Sequence, residues 1–217
     1  MKKIMMTLAA VCVAATMNAQ MYIGGTIGYG KTVSKTATIE TTRNLFTFAP
    51  EWGMAIDDKL GVGVEFAYTT GSVEDKWIGD GADPATKRTK PSSTTVALRP
   101  YLRYQAFQVG KLNVFVDGGV NFAISKDKEV GFDGNGNIYD NKAGMDLGLF
   151  VQPGIAYNVT DKWSIVAKLE NMFTIGYGKG QVADLPNTPD APTSFSAGLT
   201  TGGFTSGSLR FGVYYNF

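Results

Sequence analysis

The chain ends in Leu209-Arg210-Phe211-Gly212-Val213-Tyr214-Tyr215-Asn216-Phe217, a stretch in which two kinds of side chain alternate. Every second residue from Leu209 to Phe217 is large and apolar. The opposite face carries Arg210, Gly212, Tyr214 and Asn216. Because successive side chains of a β-strand point to opposite faces, the stretch predicts a strand with one apolar and one mostly polar face.

The same alternation recurs upstream in three stretches that share one layout. Residues 45–69, 95–123 and 145–175 each contain two alternating runs joined by a short polar turn, which predicts three β-hairpins. Residues 21–30 and 205–217 supply the seventh and eighth strands. The sequence therefore predicts an all-β fold of eight antiparallel strands in up-and-down order.

The connections between these elements alternate in length. Long polar segments occupy residues 31–44, 71–93, 126–144 and 179–203, whereas the turns within the hairpins are short. Four long irregular loops are unusual in a soluble domain. Short turns at one end and long extracellular loops at the other are expected of an outer-membrane barrel.

The first residues predict export from the cytoplasm. Lys2 and Lys3 precede an apolar run, and Ala19 ends the segment after small and polar residues. This arrangement is typical of a secretory signal peptide, residues 1–19, and we expect residues 20–217 to form one barrel domain after its removal. No later segment offers the roughly 18 to 20 apolar residues of a transmembrane helix.

Alternation alone fits two kinds of barrel. A soluble lipocalin-like barrel turns its large apolar side chains inward, whereas a lipid-embedded barrel turns them outward. The predicted signal peptide, the loop asymmetry and aromatic residues near the strand ends favour the membrane, because such aromatics form girdles at the bilayer interface. These aromatics are Tyr22, Tyr29, Tyr68, Tyr104, Tyr157, Trp163 and Tyr215. We therefore predict a transmembrane β-barrel of the bacterial outer membrane.

Three prolines and one asparagine interrupt the predicted strands. Pro50, Pro100 and Pro153 lie on the apolar face shortly before a turn, and each gives up a ladder hydrogen bond. We expect them at bulges near the turns. Asn171 falls on the apolar face of the weakest predicted strand, residues 163–175, and indicates a bulge or the membrane boundary.

The terminal stretch resembles the C-terminal signature that the outer-membrane assembly machinery recognises, with Phe211, Val213, Tyr215 and Phe217 as the assembly signal. The eight-strand layout resembles the small barrels typified by OmpA, OmpX and OmpW, and the Asn-Ala-Gln cleavage region resembles barrel proteins of Bacteroides-type bacteria. The resemblance implies the barrel assembly machinery, outer-membrane lipid and lipopolysaccharide as partners. The likeness to OmpW implies an alternative function, a narrow channel for small solutes or small apolar molecules.

Eight charged residues fall on the polar face of the predicted strands. They are Glu51, Glu65, Arg99, Arg103, Asp117, Lys168, Glu170 and Arg210. An eight-stranded barrel leaves room only for side chains, and an unpaired charge away from water is costly. We therefore predict a charge network that fills the lumen, and a charged path through a pore is the alternative.

The composition argues against catalysis and against several ligands. The chain has no histidine, which rules out a Ser-His-Asp triad, so we predict neither an enzyme nor a cofactor. The net charge of +1 gives no reason to expect nucleic acid. Residues 133–140 have the first oxygen ligands of a calcium loop but lack its glycine and its closing glutamate, so no metal is predicted.

The loops are the remaining candidates for a function. Lys87, Arg88 and Lys90 would meet lipopolysaccharide phosphates, although a solvated surface is the simpler interpretation. The four loops would also be the part of the barrel that reaches an extracellular or host ligand. We therefore predict a structural or surface-interaction role, with the narrow channel as the alternative.

Overall fold

The computed structural model describes residues 20–37, 39–77, 92–130, 138–140, 143–169, 172–180, 191–199 and 209–217. The predicted signal peptide, Glu170, Asn171, the basic residues 87–90 and most of the 133–140 loop lie outside the described residues. Within the described ranges no helix has the length and apolar character of a membrane span.

Strands make up nearly all of the described chain. In chain order they are β1 (Met21–Lys35), β2 (Ile39–Ala55), β3 (Leu60–Trp77), β4 (Ser92–Val109), β5 (Leu112–Val130), β6 (Ile138–Asp140), β7 (Gly144–Asn158), β8 (Trp163–Leu169), β9 (Phe173–Lys179), β10 (Thr193–Leu199) and β11 (Leu209–Asn216).

Eight strands close into an antiparallel ring in the order β1, β2, β3, β4, β5, β7, β8 and β11. Ile27 of β1 is paired with a residue on β2 and with a residue on β11. If the paired residues are followed from strand to strand, the path through β2 reaches β7 at Met145 and the path through β11 reaches β7 at Ile155. Positions 155 and 145 differ by ten residues, which is the stagger of the barrel. With eight strands this stagger tilts the strands by about 40° from the barrel axis. The predicted eight-stranded antiparallel barrel is confirmed.

The other three strands extend the ring. β6 pairs with the end of β5, β9 pairs with β7 beyond the end of β8, and β10 pairs with β9. On β7, Gly154 and Val151 are three positions apart, whereas their partners Lys168 and Phe173 are five positions apart. The β8–β9 side therefore contains two extra residues. The interruption falls where Asn171 predicted an irregularity.

The strands are longer than the sequence predicted, and the loop boundaries at residues 31–44, 71–93, 126–144 and 179–203 are wrong. β1 and β2, for example, stay paired from Met21 with Met54 to Lys35 with Glu40. Polar side chains do not end a hairpin that leaves the bilayer, because its backbone hydrogen bonds continue while both faces meet water. Polarity therefore indicated the edge of the membrane rather than the end of the strand.

Exposure alternates along the strands as predicted. On β3, Phe66 and Tyr68 are 47% and 40% exposed, whereas Glu65 and Ala67 are 2% and 3% exposed. The outward face is therefore large and apolar, as lipid contact requires, and the inward face is small or charged. Met54 is an exception, since alternation places it outward and it is buried.

The prolines do not all lie at bulges. The register between β2 and β3 is the same on both sides of Pro50, and that between β4 and β5 is the same on both sides of Pro100. A proline lacks a backbone N–H and therefore cannot donate a hydrogen bond to the neighbouring strand. Pairing is interrupted there, but no extra residue is inserted and the register stays the same. Pro153 lies beside the interruption between β8 and β9, and β4 has a separate bulge between Gln105 and Phe107.

Three tight turns lie at one end of the barrel, which we call the turn end; the opposite end is the loop end. Asp57 stabilises the β2–β3 turn by accepting the backbone N–H groups of Lys59 and Leu60, both at 2.7 Å. These hydrogen bonds favour the charged form and lower the pKa of the Asp57 carboxyl. In the β4–β5 turn Gly110 has φ 58°, which glycine adopts without steric cost.

Candidate functional site

Charged side chains from six strands meet inside the barrel. Glu51 lies on β2, Glu65 on β3, Arg99 and Arg103 on β4, Asp117 on β5, Lys168 on β8 and Arg210 on β11. Strand alternation points all seven inward, because each lies between outward apolar residues. We call these seven residues, with the neighbouring Gln152 and the rings of Tyr22, Tyr101, Phe115 and Tyr214, the lumen cluster.

Lys168 of β8 contacts carboxylates on β2, β3 and β5, three strands that are not its neighbours in the ring. Its Nζ donates to Glu51 Oε2, lies 3.0 Å from Asp117 Oδ2 and lies 3.5 Å from Glu65 Oε2. All four side chains are buried. The ammonium thus balances carboxylates that would otherwise be isolated from water.

Glu65 forms a second centre. Arg210 donates to both of its oxygens at 3.1 Å, and Arg99 Nη1 donates to Oε1 at 3.2 Å. The paired contacts of Arg210 have the bidentate geometry of strong charge-assisted hydrogen bonds. Arg210 also donates to Gln152 Oε1 at 3.0 Å, and Gln152 donates to the carbonyl of Leu169 at 2.6 Å.

Arg103 forms the third centre and faces the turn end. Its Nε and Nη2 donate to the two oxygens of Asp117 at 2.7 and 2.8 Å, and Nη2 lies 3.4 Å from Glu51. The guanidinium carbon lies 3.9 Å from the ring centre of Phe115, which is a close cation–π contact. Arg103 therefore joins the ion pairs to an aromatic layer.

That aromatic layer consists of Tyr22, Tyr101, Phe115 and Tyr214. The hydroxyls of Tyr22 and Tyr101 are 2.6 Å apart, and the rings of Tyr22 and Tyr214 lie 4.9 Å apart. Gly53 makes room for these rings, because a Cβ there would collide with the ring of Tyr22. The layer lies directly on the turn-end side of the charges.

Cavities lie on both sides of the lumen cluster. The loop-end cavity has a volume of about 300 Å³ and is lined by small side chains around Arg99. The turn-end cavity has a volume of about 990 Å³ and is lined by Arg103 and by amides such as Asn113 and Asn158. Arg99 and Arg103 are four positions apart on one tilted strand, so the lumen cluster is about 10 Å thick.

The structure brings seven of the eight predicted charges together; Glu170 lies outside the described residues. The predicted site residues did not include Gln152, Tyr101, Phe115 or Tyr214. Each of these lies an even number of residues from another inward-facing residue of its strand, and this spacing would have indicated that it points into the lumen. The interpretation of Tyr22 as a girdle aromatic is wrong. Its neighbour Ile23 is 51% exposed, so Tyr22 takes the inward position.

Phe211, Val213 and Tyr215, three residues of the predicted assembly signal, lie on the outward face of β11, and Phe217 directly follows this strand. Phe211, Val213 and Phe217 are exposed, and Tyr215 packs edge to face against Trp163 with ring centres 5.0 Å apart. Among the described residues no group of three or more His, Cys, Asp or Glu side chains is placed to hold a metal ion.

Comparison with known proteins gives one family and two solved structures. The family model described as "Outer membrane protein beta-barrel domain" matches residues 4–217. The chain is similar to a major outer membrane protein from Thermus thermophilus with 16% identity and a TM-score of 0.52, covering 92% of this chain and 99% of that one. It is also similar to neisserial surface protein A with 13% identity and a TM-score of 0.46, with the same coverage of both chains. No curated protein has a significant match to the sequence.

Proposed function

Because this chain belongs to the outer membrane protein beta-barrel domain family, we propose that it is a closed barrel with a structural or surface-interaction role. Its short turns face the periplasm and its loops face outward. Residues 1–19 direct export, and Phe211, Val213, Tyr215 and Phe217 direct assembly by the barrel machinery. No catalytic step is assigned to it.

The observation that carries this proposal is the contact of Lys168 with carboxylates of three other strands. Glu51 and Glu65 come from β2 and β3, Asp117 comes from β5, and Lys168 comes from β8. These contacts cross the lumen rather than follow its wall. A continuous column of water would have to separate buried opposite charges, which is costly in a low-dielectric interior.

A closed lumen leaves the outer surface and the loops as the functional parts. Outward apolar side chains contact lipid, and the loop end meets lipopolysaccharide and any extracellular or host ligand. The barrel therefore anchors the loops at the outer membrane, while the lumen cluster prevents solutes from leaking through it.

A narrow channel is the second candidate, and the two cavities favour it. They approach the lumen cluster from opposite ends and leave a barrier of only about 10 Å. A rearrangement of Arg99 and Arg103 would join them into one path for small solutes.

Conductance in planar bilayers tests the proposal. The unmodified protein should show little or no steady conductance, and the Arg99→Ala, Arg103→Ala double variant should leak because both guanidinium groups are gone. Lys162→Ala, in the exposed β7–β8 turn, is the control and should behave as the unmodified protein does. A stable single-channel conductance of the unmodified protein would favour the channel instead.

A further inference from the structure

The turn-end cavity has the size of a ligand site. Its volume of about 990 Å³ is at the upper end of the roughly 300–1,000 Å³ of small-molecule sites. All eight strands of the ring contribute to its lining, and the lumen cluster closes it on the side of the loop end. A molecule of several rings therefore fits between the lumen cluster and the tight turns.

One part of the cavity wall carries amide and hydroxyl side chains. Gln105, Asn113, Asn158, Ser164 and Asn216 lie on β4, β5, β7, β8 and β11, which are five consecutive strands of the ring. Each lies an even number of residues from a lumen-cluster residue of the same strand, so all five point inward. They form an arc around the cavity.

Hydrogen bonds hold the side chains of this arc in place. Gln105 Nε2 donates to Asn113 Oδ1 at 3.0 Å. Asn216 Nδ2 donates to Ser164 Oγ at 3.1 Å, and Ser164 Oγ donates to Asn158 Oδ1 at 2.8 Å. These bonds leave the NH₂ groups of Asn113 and Asn158 and the amide oxygens of Gln105 and Asn216 able to bind a ligand. The arc is thus pre-organised, which lowers the entropy cost of binding.

The rest of the cavity lining is small or aromatic. Ala55 of β2 and Gly61 of β3 face the arc from the other side of the ring and leave the space in front of it open. The rings of Tyr22, Phe115 and Tyr214 form the floor, and Tyr22 is the most exposed of the three. Ligand sites commonly combine such aromatic surface with a few fixed polar groups.

The charges of the cavity lie at its two ends. Among the described residues that line it, the charged ones are Arg103 at the floor and Asp57, Asp58, Lys59 and Asp161 in the turns at the mouth. Arg103 is already paired with Asp117 and Glu51. The arc between these ends offers both donors and acceptors. A carboxylate only accepts and an ammonium only donates, whereas a hydroxyl does both, so the arc suits an uncharged ligand with many hydroxyls.

We propose that the turn-end cavity binds an uncharged oligosaccharide. Gln105, Asn113, Asn158 and Asn216 bind its hydroxyl groups, and the ring of Tyr22 packs against the C–H face of a sugar ring. This inference goes beyond the structural or surface-interaction role. It depends neither on closure of the lumen nor on the direction in which the barrel faces in the membrane.

Isothermal titration calorimetry of the folded barrel tests the site. A polyoxyethylene detergent is required, because a glycoside detergent would itself supply a sugar. The probes are maltotriose and triacetylchitotriose, two uncharged trisaccharides, and trigalacturonate is the charged comparison of the same length. At least one uncharged trisaccharide should bind, and it should bind more tightly than trigalacturonate.

Two variants change the cavity in different ways. Asn113→Ala, Asn158→Ala should bind the sugar about 30-fold more weakly, since each neutral hydrogen bond contributes about fivefold. Ala55→Trp fills the cavity from the side opposite the arc, leaves the amides intact and should abolish binding. Asn44→Ala, at the loop end of β2, is the control and should bind as the unmodified protein does.

Other outcomes would overturn the assignment. Absence of binding by both uncharged trisaccharides would mean that the cavity holds only water. Unchanged binding in Ala55→Trp would place the sugar outside the cavity, and unchanged binding in the Asn113, Asn158 variant would remove the arc from recognition. Equal binding of trigalacturonate would refute the uncharged class, and a loss in Asn44→Ala as large as that in the arc variant would show an unspecific effect. All variants must first show the heat-modifiable mobility of a folded barrel.

Discussion

Replacing Lys168 by methionine should strongly destabilise the barrel. The side chain is 1% exposed and contacts Glu51, Glu65 and Asp117, all of them buried. Methionine replaces the unbranched chain up to Cε but lacks the ammonium group, which leaves the carboxylates buried with fewer counter-charges. Breaking a buried ion pair in this way costs about 3–5 kcal/mol.

The double variant Lys168→Met, Asp117→Asn separates this electrostatic effect from a packing defect. Lys168 Nζ lies 3.0 Å from Asp117 Oδ2, and each single variant loses this one contact, so the double variant should cost about 1–3 kcal/mol less than the sum of the single variants. Lys162→Met, in an exposed turn, is the matched control and should lie within about 0.5 kcal/mol of the unmodified protein.

Reversible urea unfolding in lipid vesicles measures these differences in the free energy of unfolding. If Lys168→Met cost no more than Lys162→Met, the ammonium would not be buried against the carboxylates. Strict additivity of the Lys168 and Asp117 substitutions would show that the two charges do not interact.

Three further predictions concern the lipid face, assembly and pH. Val64→Arg should cost about 2–4 kcal/mol because Val64 faces lipid, whereas inward Ala67→Ser should cost less, as measured by folding titrations in vesicles. Deletion of Phe217 should lower the amount of folded barrel in outer-membrane fractions without reducing export to the periplasm. The Asp57 carboxyl has a lowered pKa in the folded state, so its stabilising effect is present above its unfolded pKa of about 3.9 and is lost as pH falls through the folded pKa. The difference in stability between the unmodified protein and Asp57→Asn should therefore disappear in acid.

Each of these predictions has an outcome that contradicts it. Equal costs at Val64 and Ala67 would reject the assignment of strand faces. Normal levels of heat-modifiable barrel without Phe217 would remove its role in assembly. A constant difference between the unmodified protein and Asp57→Asn from pH 7 to pH 2 would show that the carboxylate does not stabilise the turn.

The sequence predicted the strand faces because lipid and lumen impose opposite demands on alternate residues. Phe66 and Glu65 illustrate this, since only one orientation of β3 puts the ring in lipid and the carboxylate inside. The same alternation brought Glu51, Glu65, Asp117 and Lys168 to the lumen before any pairing was known. Which cation meets which carboxylate depends on the stagger of ten residues, and this long-range quantity is not written in any one strand.

The remaining errors have local physical causes. The polar residues predict strand ends that are too early, because polarity indicates where lipid ends, whereas backbone hydrogen bonds decide where β1 and β2 end. The residue type of Tyr22 predicts a position at the bilayer interface, but its place beside the outward Ile23 points it inward. The missing N–H of Pro50 predicts a bulge, but the strand continues past it without an extra residue.

The most direct test of the closed lumen is the reach of a membrane-impermeant thiol reagent from each side. Residues 20–217 contain no cysteine, so Thr95→Cys in the loop-end cavity and Asn158→Cys in the turn-end cavity each introduce a single thiol. In vesicles that hold the barrel with its loop end outward, reagent added outside should label the thiol at position 95 and not the one at position 158. With Arg99→Ala and Arg103→Ala added, both positions should be labelled. Labelling of position 158 from outside in the otherwise unmodified barrel would contradict closure of the lumen.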